Sequence, residues 1–150
     1  MTPRRLTALG TAAGLAALTL ILVLPAAAAP QQIKGAAILD HACGKVAVKH
    51  MGLVHAGKFD EAMALGSTDL QKEWKALPAE DRKMMTAMMK ETSSTEADFS
   101  AAIKAHGVLE VDGDKATLTV TEEHKDANGS STSTHTEKFL IKGATCTITH

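Results

Sequence analysis

Apolar side chains in the first part of the chain recur at helical spacing. Within residues 32–57 they return every three or four positions, which predicts one amphipathic helix. Cys43 and His50 lie seven residues apart on its apolar stripe, so both side chains are expected to point into the core. Gly57 predicts the end of this helix, because glycine commonly follows a helix C-terminus.

Further helical segments are predicted before residue 96. The stretch FDEAMAL, residues 59–65, predicts a short helix with Asp60 as a candidate N-cap. Residues 68–91 predict one or two helices, with a break or a fresh start at Pro78. The apolar stripe predicted for this segment consists of Leu77, Met84, Met85 and Met88.

The hydrophobic period changes to two after Glu96. Residues 99–111 alternate between apolar or small positions and mostly polar ones, which predicts a half-buried strand. Three more alternating segments follow, separated by predicted two-residue turns at residues 113–114, 128–129 and 142–143. Helices followed by a four-stranded antiparallel meander predict an α+β fold.

The predicted turns also fix how the strands pair. One row across the core face then contains Leu109, Leu118, Phe139 and Cys146. Two rows further out bring together Gly107, Val120, Glu137 and Ile148, and then Ala105, Glu122, His135 and His150. The core face is therefore predicted to turn polar at one end of the sheet. A slip of one residue would move all these side chains of a strand to the other face.

The beginning of the chain has the pattern of a secretory signal peptide. Arg4 and Arg5 precede an apolar run over residues 15–24, and small residues follow it to Ala29. The alternative is a retained membrane anchor, but the apolar run is shorter than the roughly 20 residues that a span needs. We therefore predict a signal peptide over residues 1–29 and one α+β domain over residues 30–150. The mature protein is expected to be periplasmic or secreted, with no membrane attachment after cleavage.

The two cysteines of the chain are predicted to form a disulfide. Cys43 points inward from the first helix and Cys146 points to the core face of the last strand. In an oxidising compartment, such a pair favours a covalent link between helix and sheet. Two free buried cysteines and a metal or catalytic thiol are the alternatives.

Charge and aromatic content exclude one large class of partner. The formal net charge is −1 at pH 7, and the aromatic residues are three phenylalanines and one tryptophan. A nucleic-acid-binding protein needs a basic surface and aromatic side chains for stacking. We therefore predict that this protein does not bind nucleic acid.

Two stretches of the chain resemble the nuclear transport factor 2-like superfamily, which includes ketosteroid isomerase and the SnoaL-like polyketide cyclases. VKHMGLVHAGKFDEAMAL, residues 48–65, is similar to the first helix, glycine turn and second helix of that family. VDGDKATLTVTEEHKDANG and TEKFLIKGATCTITH, residues 111–129 and 136–150, are similar to its closing strands. The resemblance covers residues 33–150. It implies a cone-shaped, cystatin-like sheet that curves around a pocket closed by the first helix.

The sequence departs from this family at two aromatic positions. A tryptophan often found in the last strand is replaced by TCTI, residues 145–148. The chain has no tyrosine, whereas the ketosteroid isomerases use one in their oxyanion hole. Steroid isomerisation by that mechanism is therefore disfavoured, and small exported, uncharacterised members of the superfamily are the most similar.

The polar end of the predicted sheet supplies the candidate site. If helix and sheet run the same way from the disulfide, His50 arrives close to the polar row. The pocket candidates are His50, Glu122, His135, Glu137 and His150. Three imidazoles and a carboxylate among them could hold Zn²⁺ or act as an acid and base. The alternative, which we prefer, is that these side chains simply meet solvent, so no metal and no cofactor are predicted.

Methionine residues offer a second metal hypothesis. MMTAMM, residues 84–89, could supply thioether sulfur, which is a soft ligand for Cu(I). Methionines at helical spacing are primarily a packing stripe, which is the interpretation we prefer.

Two classes of function remain open, and binding ranks above catalysis. The preferred hypothesis is an exported module that holds a small molecule in its pocket or meets a protein partner, with no established catalysis. The alternative is a hydrolyase, an isomerase or a metal-assisted hydrolase that uses the His/Glu cluster. A homodimer through the outer face of the sheet is also possible by resemblance.

Overall fold

A computed structural model describes residues 29–126 and 129–150, and the predicted signal peptide lies outside them apart from its last residue. Helices pack against one face of a five-stranded antiparallel sheet, which gives an α+β fold as predicted. The elements are β1 Gln31–Lys34, α1 Ala37–Asp40, α2 Ala42–His55, α3 Phe59–Met63, α4 Thr68–Ala76, α5 Ala79–Thr92, α6 Glu96–His106, β2 Gly107–Asp112, β3 Lys115–Asp126, β4 Gly129–Lys142 and β5 Thr145–Thr149. Their order in the sheet is the order in the chain.

The predicted single helix over residues 32–57 is wrong in its first third. Residues 31–34 form β1, a fifth strand that pairs with β2, so the predicted four-stranded sheet has one strand too few. Gly35, at a φ of 61°, turns the chain into the short helix α1. His41 then starts α2, because its ring nitrogen Nδ1 accepts a hydrogen bond from the backbone N–H of Cys43 at 3.2 Å. Gly57, at a φ of 75°, follows the end of α2 as predicted.

The strand predicted over residues 99–111 is also wrong in its first half. Residues 96–106 form α6, and β2 begins at Gly107. Thr95 caps the helix, since its hydroxyl accepts a hydrogen bond from the backbone N–H of Asp98. Phe99 and Ile103 are four residues apart and fully buried, which suits a helix as well as a strand. The alanines between them fit either pattern, so the alternation was ambiguous.

The strands pair with the predicted faces but not with all the predicted partners. Leu109 lies opposite Leu118, as the first predicted turn requires. Leu118 lies opposite Glu137 rather than Phe139, and Phe139 lies opposite Ile148 rather than Cys146. Both differences are shifts of two residues, which keep every side chain on its face. The turn between β4 and β5 falls on residues 143–144 rather than 142–143, while the predicted turn at residues 128–129 lies partly outside the described part of the chain.

The larger core, which we term the sheet cluster, joins α1, α2 and α6 to the sheet. Its buried members are Ile38, Cys43, Ala47, Phe99, Ile103, Leu109, Ala116, Leu118, Val120, Phe139, Cys146 and Ile148. Cys43 and Cys146 form a disulfide with their Cα atoms 5.0 Å apart, at a sequence separation of 103. The link fixes the N-terminal part of α2 to β5.

A smaller core, which we term the helical cluster, lies among α2 to α5. Its buried members are Val54, Phe59, Ala62 and Trp74, and the partly buried Leu53, Met63, Leu77, Met85 and Met89 surround them. Asp60 lies in the first turn of α3 and accepts a hydrogen bond from Trp74 Nε1 at 2.8 Å, whereas the N-cap position is Lys58. Pro78 separates α4 from α5, as predicted.

Helix α5 presents its methionines on two faces. Met84 and Met88 are 67% and 59% exposed, so the predicted apolar stripe that included them is wrong at these positions. Met85 and Met89 face the helical cluster instead. None of the residues of α5 is fully buried.

The outer edge of β5 is covered by the loop before α4. The backbone N–H of Ser67 donates to the carbonyl of Ile148 at 2.7 Å, and the N–H of Ile148 donates to the carbonyl of Leu65 at 3.1 Å. Within residues 29–126 and 129–150, no helix is both long and apolar enough to cross a membrane.

Candidate functional site

Helix α2 carries His50 into the interior two turns after the disulfide. Cys43 is fully buried, and the spacing of seven residues returns to the same helix face. The His50 side chain is accordingly only 13% exposed. Met51 and Val54 follow it on the side of α2 that faces α5 and the sheet.

Strand β4 supplies two further polar side chains on the core face. His135 and Glu137 are two residues apart, so they point the same way from the strand. Glu137 lies opposite Leu118 and is 6% exposed, which makes it the one buried charged residue in the part of the chain that the structure describes. A carboxylate in such surroundings costs free energy unless a partner compensates it.

The partner of Glu137 is His50. His50 Nδ1 lies 2.8 Å from Glu137 Oε1. The contact has the length of a hydrogen bond but not its alignment, and both His50 nitrogens and Glu137 Oε2 have no hydrogen-bond partner. We therefore treat the pair as an electrostatic contact that a small ring rotation would convert into a hydrogen bond.

His135 lies beside His50 in the same cleft. Its ring meets Phe99 edge to face, with centroids 5.4 Å apart and planes at 88°. This contact holds the ring through its apolar surface, and the buried Nε2 has no hydrogen-bond partner. Buried polar atoms in folded proteins are nearly always hydrogen-bonded, so unpartnered ones are informative.

A cleft of about 140 Å³ connects these side chains, and we term it the histidine cleft. It is lined by His50, Met51, Val54, Met89, Thr92, Ser93 and His135. Met89 comes from α5, whose residues form the cover of the cleft. An unbranched methionine side chain has several rotatable bonds, so it can make room for a ligand without moving the helix.

The structure places the other two predicted site residues elsewhere. Glu122 lies opposite Ser133 and accepts a hydrogen bond from the hydroxyl of Ser94 at 3.3 Å, beside a separate cleft of about 450 Å³. His150 Nε2 lies 3.0 Å from Oε2 of Glu73, a residue of α4. Because the two strand pairings are shifted, the predicted row of Glu122, His135 and His150 does not form. Among the described residues, no group of three or more His, Cys, Asp or Glu side chains is arranged to hold a metal ion.

An imidazole beside a buried carboxylate has a definite chemical capacity. The carboxylate favours a proton on the near nitrogen, Nδ1 of His50, and leaves Nε2 with a free lone pair. Such a nitrogen can accept a hydrogen bond, bind a metal or remove a proton from a ligand. His135 supplies a second imidazole to the same small space.

Sequence reasoning missed the methionines of the cleft. Met51 directly follows His50, and Met89 is four residues after Met85 on the inward face of α5. The helical spacing of positions 85 and 89 was visible in the sequence. Positions 84 and 88 have the same spacing, and only the orientation of α5 shows which of the two pairs faces the interior.

The chain matches no protein-family model, no curated protein and no solved structure. The resemblance to the nuclear transport factor 2-like superfamily therefore stays a prediction from the sequence stretches quoted above.

Proposed function

We propose that residues 30–150 form an exported binding module that holds a small ligand in the histidine cleft. The observation that carries this proposal is the pair of partly buried imidazoles, His50 and His135, whose buried Nε2 atoms have no hydrogen-bond partner. Both nitrogens are closed to a water-sized molecule, and the cleft that the two rings line is the route by which a partner would reach them once a side chain such as Met89 shifts. The resemblance to the cone-shaped, cystatin-like fold is consistent with a pocket between the first long helix and the sheet.

Glu137 strengthens this proposal. A buried carboxylate is costly, and apolar residues in place of both His50 and Glu137 would give a core that is at least as stable. Beside His50, the Glu137 carboxylate can orient the imidazole and balance a positive charge bound in the cleft.

The size of the histidine cleft limits what it can bind. Pockets for drug-sized molecules have volumes of roughly 300–1,000 Å³. The histidine cleft has a volume of about 140 Å³ with Met89 in its present position. The ligand is therefore an ion or a molecule of few non-hydrogen atoms.

Export is the second part of the proposal. The disulfide between Cys43 and Cys146 is compatible with an oxidising compartment. It agrees with the signal peptide predicted over residues 1–29.

Native mass spectrometry tests the ligand. The protein is purified from the exported fraction without reductant or chelator, and native and denatured masses are compared. We expect an additional native mass in the wild type and in His106→Ala, an exposed histidine outside the histidine cleft. The mass should be absent from His135→Phe, which keeps an aromatic ring against Phe99. An identical native mass in His135→Phe, or no bound mass in the wild type, would contradict the proposal.

Catalysis by His50 is a second candidate, favoured by the 2.8 Å contact with Glu137. A histidine oriented by a carboxylate is a common general base. The ligand recovered from the protein would then be converted on incubation with wild-type protein and converted more slowly by Glu137→Gln. An unchanged ligand after prolonged incubation would leave binding as the function.

A further inference from the structure

The histidine cleft combines two imidazoles with two thioethers. His50 and Met51 reach it from α2, Met89 from α5 and His135 from β4. Imidazole nitrogen and thioether sulfur together form a donor set that suits a soft transition-metal ion. We propose that the ligand of this cleft is Cu(I), coordinated by Nε2 of both histidines and the sulfur of both methionines. This inference rests on the proposed binding function and names its ligand.

The pairing of His50 with Glu137 is the outer shell expected of a metal site. Histidines that bind metals almost always give their other ring nitrogen to a carboxylate, a backbone carbonyl or water, which fixes the tautomer and the ring orientation. In this protein, Nδ1 of His50 lies beside Glu137, which leaves Nε2 for the metal.

Charge balance favours a monovalent cation. Glu137 is the one buried charged side chain among the described residues, and its contact with His50 lacks the alignment of a hydrogen bond. A bound Cu(I) would place one positive charge close to one buried carboxylate. Attraction to the ion would then offset the free-energy cost of burying Glu137.

The same donors argue against the harder metals. Zn²⁺ is bound by cysteine, histidine and carboxylate groups, and Mg²⁺ and Ca²⁺ are bound by oxygen. The described residues include no three-membered group of His, Cys, Asp or Glu arranged for a metal. The cysteines are joined in the disulfide and are not free to coordinate. Thioethers complete the site for copper but not for these ions.

Helix α5 offers a matched control for this site. Met89 lines the histidine cleft, whereas Met88, the neighbouring residue, is 59% exposed on the outer face. Substitution of either methionine by leucine keeps the apolar volume and removes the sulfur. A copper site in the histidine cleft therefore predicts that Met89→Leu weakens Cu(I) binding and that Met88→Leu, at the adjacent position, does not.

The test is an anaerobic competition titration with Cu(I) and the chromogenic chelator bicinchoninate. Ascorbate keeps copper reduced and spares the disulfide, whose integrity is checked by mass so that no thiol contributes. We expect one Cu(I) per wild-type chain and unchanged affinity for Met88→Leu. Affinity should fall at least about tenfold for Met89→Leu and Met51→Leu, and about 10–100-fold for Glu137→Gln, which removes the outer-shell charge. Thermal unfolding of the metal-free variants verifies that they are folded.

Two results would overturn the copper site: no Cu(I) binding by folded wild-type protein, or equal affinities for Met88→Leu, Met89→Leu and Met51→Leu. If native mass spectrometry then shows an organic molecule that His135→Phe lacks, the binding function stands and only the metal assignment fails. If neither copper nor any other mass depends on His135, both proposals fail together.

Discussion

The sheet cluster and the helical cluster differ in how tightly they are closed. The sheet cluster is continuous from α1 to β5 and is closed by the disulfide between Cys43 and Cys146. The helical cluster is smaller, and partly buried methionines form much of its boundary. The histidine cleft lies where they meet, with Met51 packed against the first cluster and Met89 against the second. The imidazoles are therefore held on the rigid side, and an adaptable methionine covers them.

The largest expected effect compares one phenylalanine from each cluster. Phe99→Ala should lower the free energy of unfolding by about 3–5 kcal/mol, because Phe99 is fully buried in the sheet cluster and its truncation leaves a cavity there. Phe59→Ala should cost less, since flexible methionines surround that cluster. Urea denaturation with a constant m-value measures both losses. Equal losses would show that the two clusters are packed to the same degree.

Removal of the disulfide is expected to have the next largest effect. Replacement of Cys43 and Cys146 by alanine should lower the free energy of unfolding by about 2–4 kcal/mol, since the bond closes a loop of 103 residues. Chemical denaturation without reductant measures the loss. Wild-type protein with reductant is the control and should lose a similar amount. A loss below about 0.5 kcal/mol would show that the sheet cluster does not depend on its covalent link.

The contact between His50 and Glu137 should show a clear coupling. Glu137→Leu alone should cost about 1–3 kcal/mol, because it leaves a buried imidazole without its partner. The double substitution His50→Leu with Glu137→Leu should recover stability, since apolar residues often replace a buried polar pair at no cost. A double-mutant cycle in urea should give a coupling of about 0.5–3 kcal/mol. Additive effects would mean that the pair is not an energetic unit.

The smallest expected effect concerns the outer face of α5. Met88→Ala should change the free energy of unfolding by no more than about 0.5 kcal/mol, because its side chain is mostly in solvent. Met85→Ala should cost more, because Met85 packs on the helical cluster. Thermal unfolding of the two variants is sufficient to rank them. The reverse ranking would mean that α5 is rotated about its axis.

Sequence patterns correctly predicted the parts of the fold in which the residue types allow few backbone conformations. The end of α2 at Gly57, the break at Pro78 and the pairing of Leu109 with Leu118 depend on glycine, proline and a short turn, which permit few geometries. The stretch before Gly107 failed because alternating alanines fit a helix as well as a strand. β1 was missed because a four-residue strand is too short to show a period.

The sequence predicted which residues of the candidate site face the core, but not which of them lie in contact. His50, His135 and Glu137 were all expected on the core side, because an even shift in pairing does not change the face. Which of them meet depends on the register of β4, and turn residues alone did not determine it. Met89 depends on the rotation of α5, which is set by packing against α2 and the helical cluster rather than by the sequence of α5.

The loop over residues 65–67 has a consequence for self-association. Strands at the edge of a sheet can template the addition of further strands from other molecules, which is a route to aggregation. In this fold the β5 edge is already occupied by the hydrogen bonds of Leu65 and Ser67 with Ile148. The opposite edge is β1, only four residues long, with Gln31, Gln32 and Lys34 all exposed. One edge is thus interrupted at Ile148 and the other is short and polar, and both features disfavour fibril-like growth at high concentration.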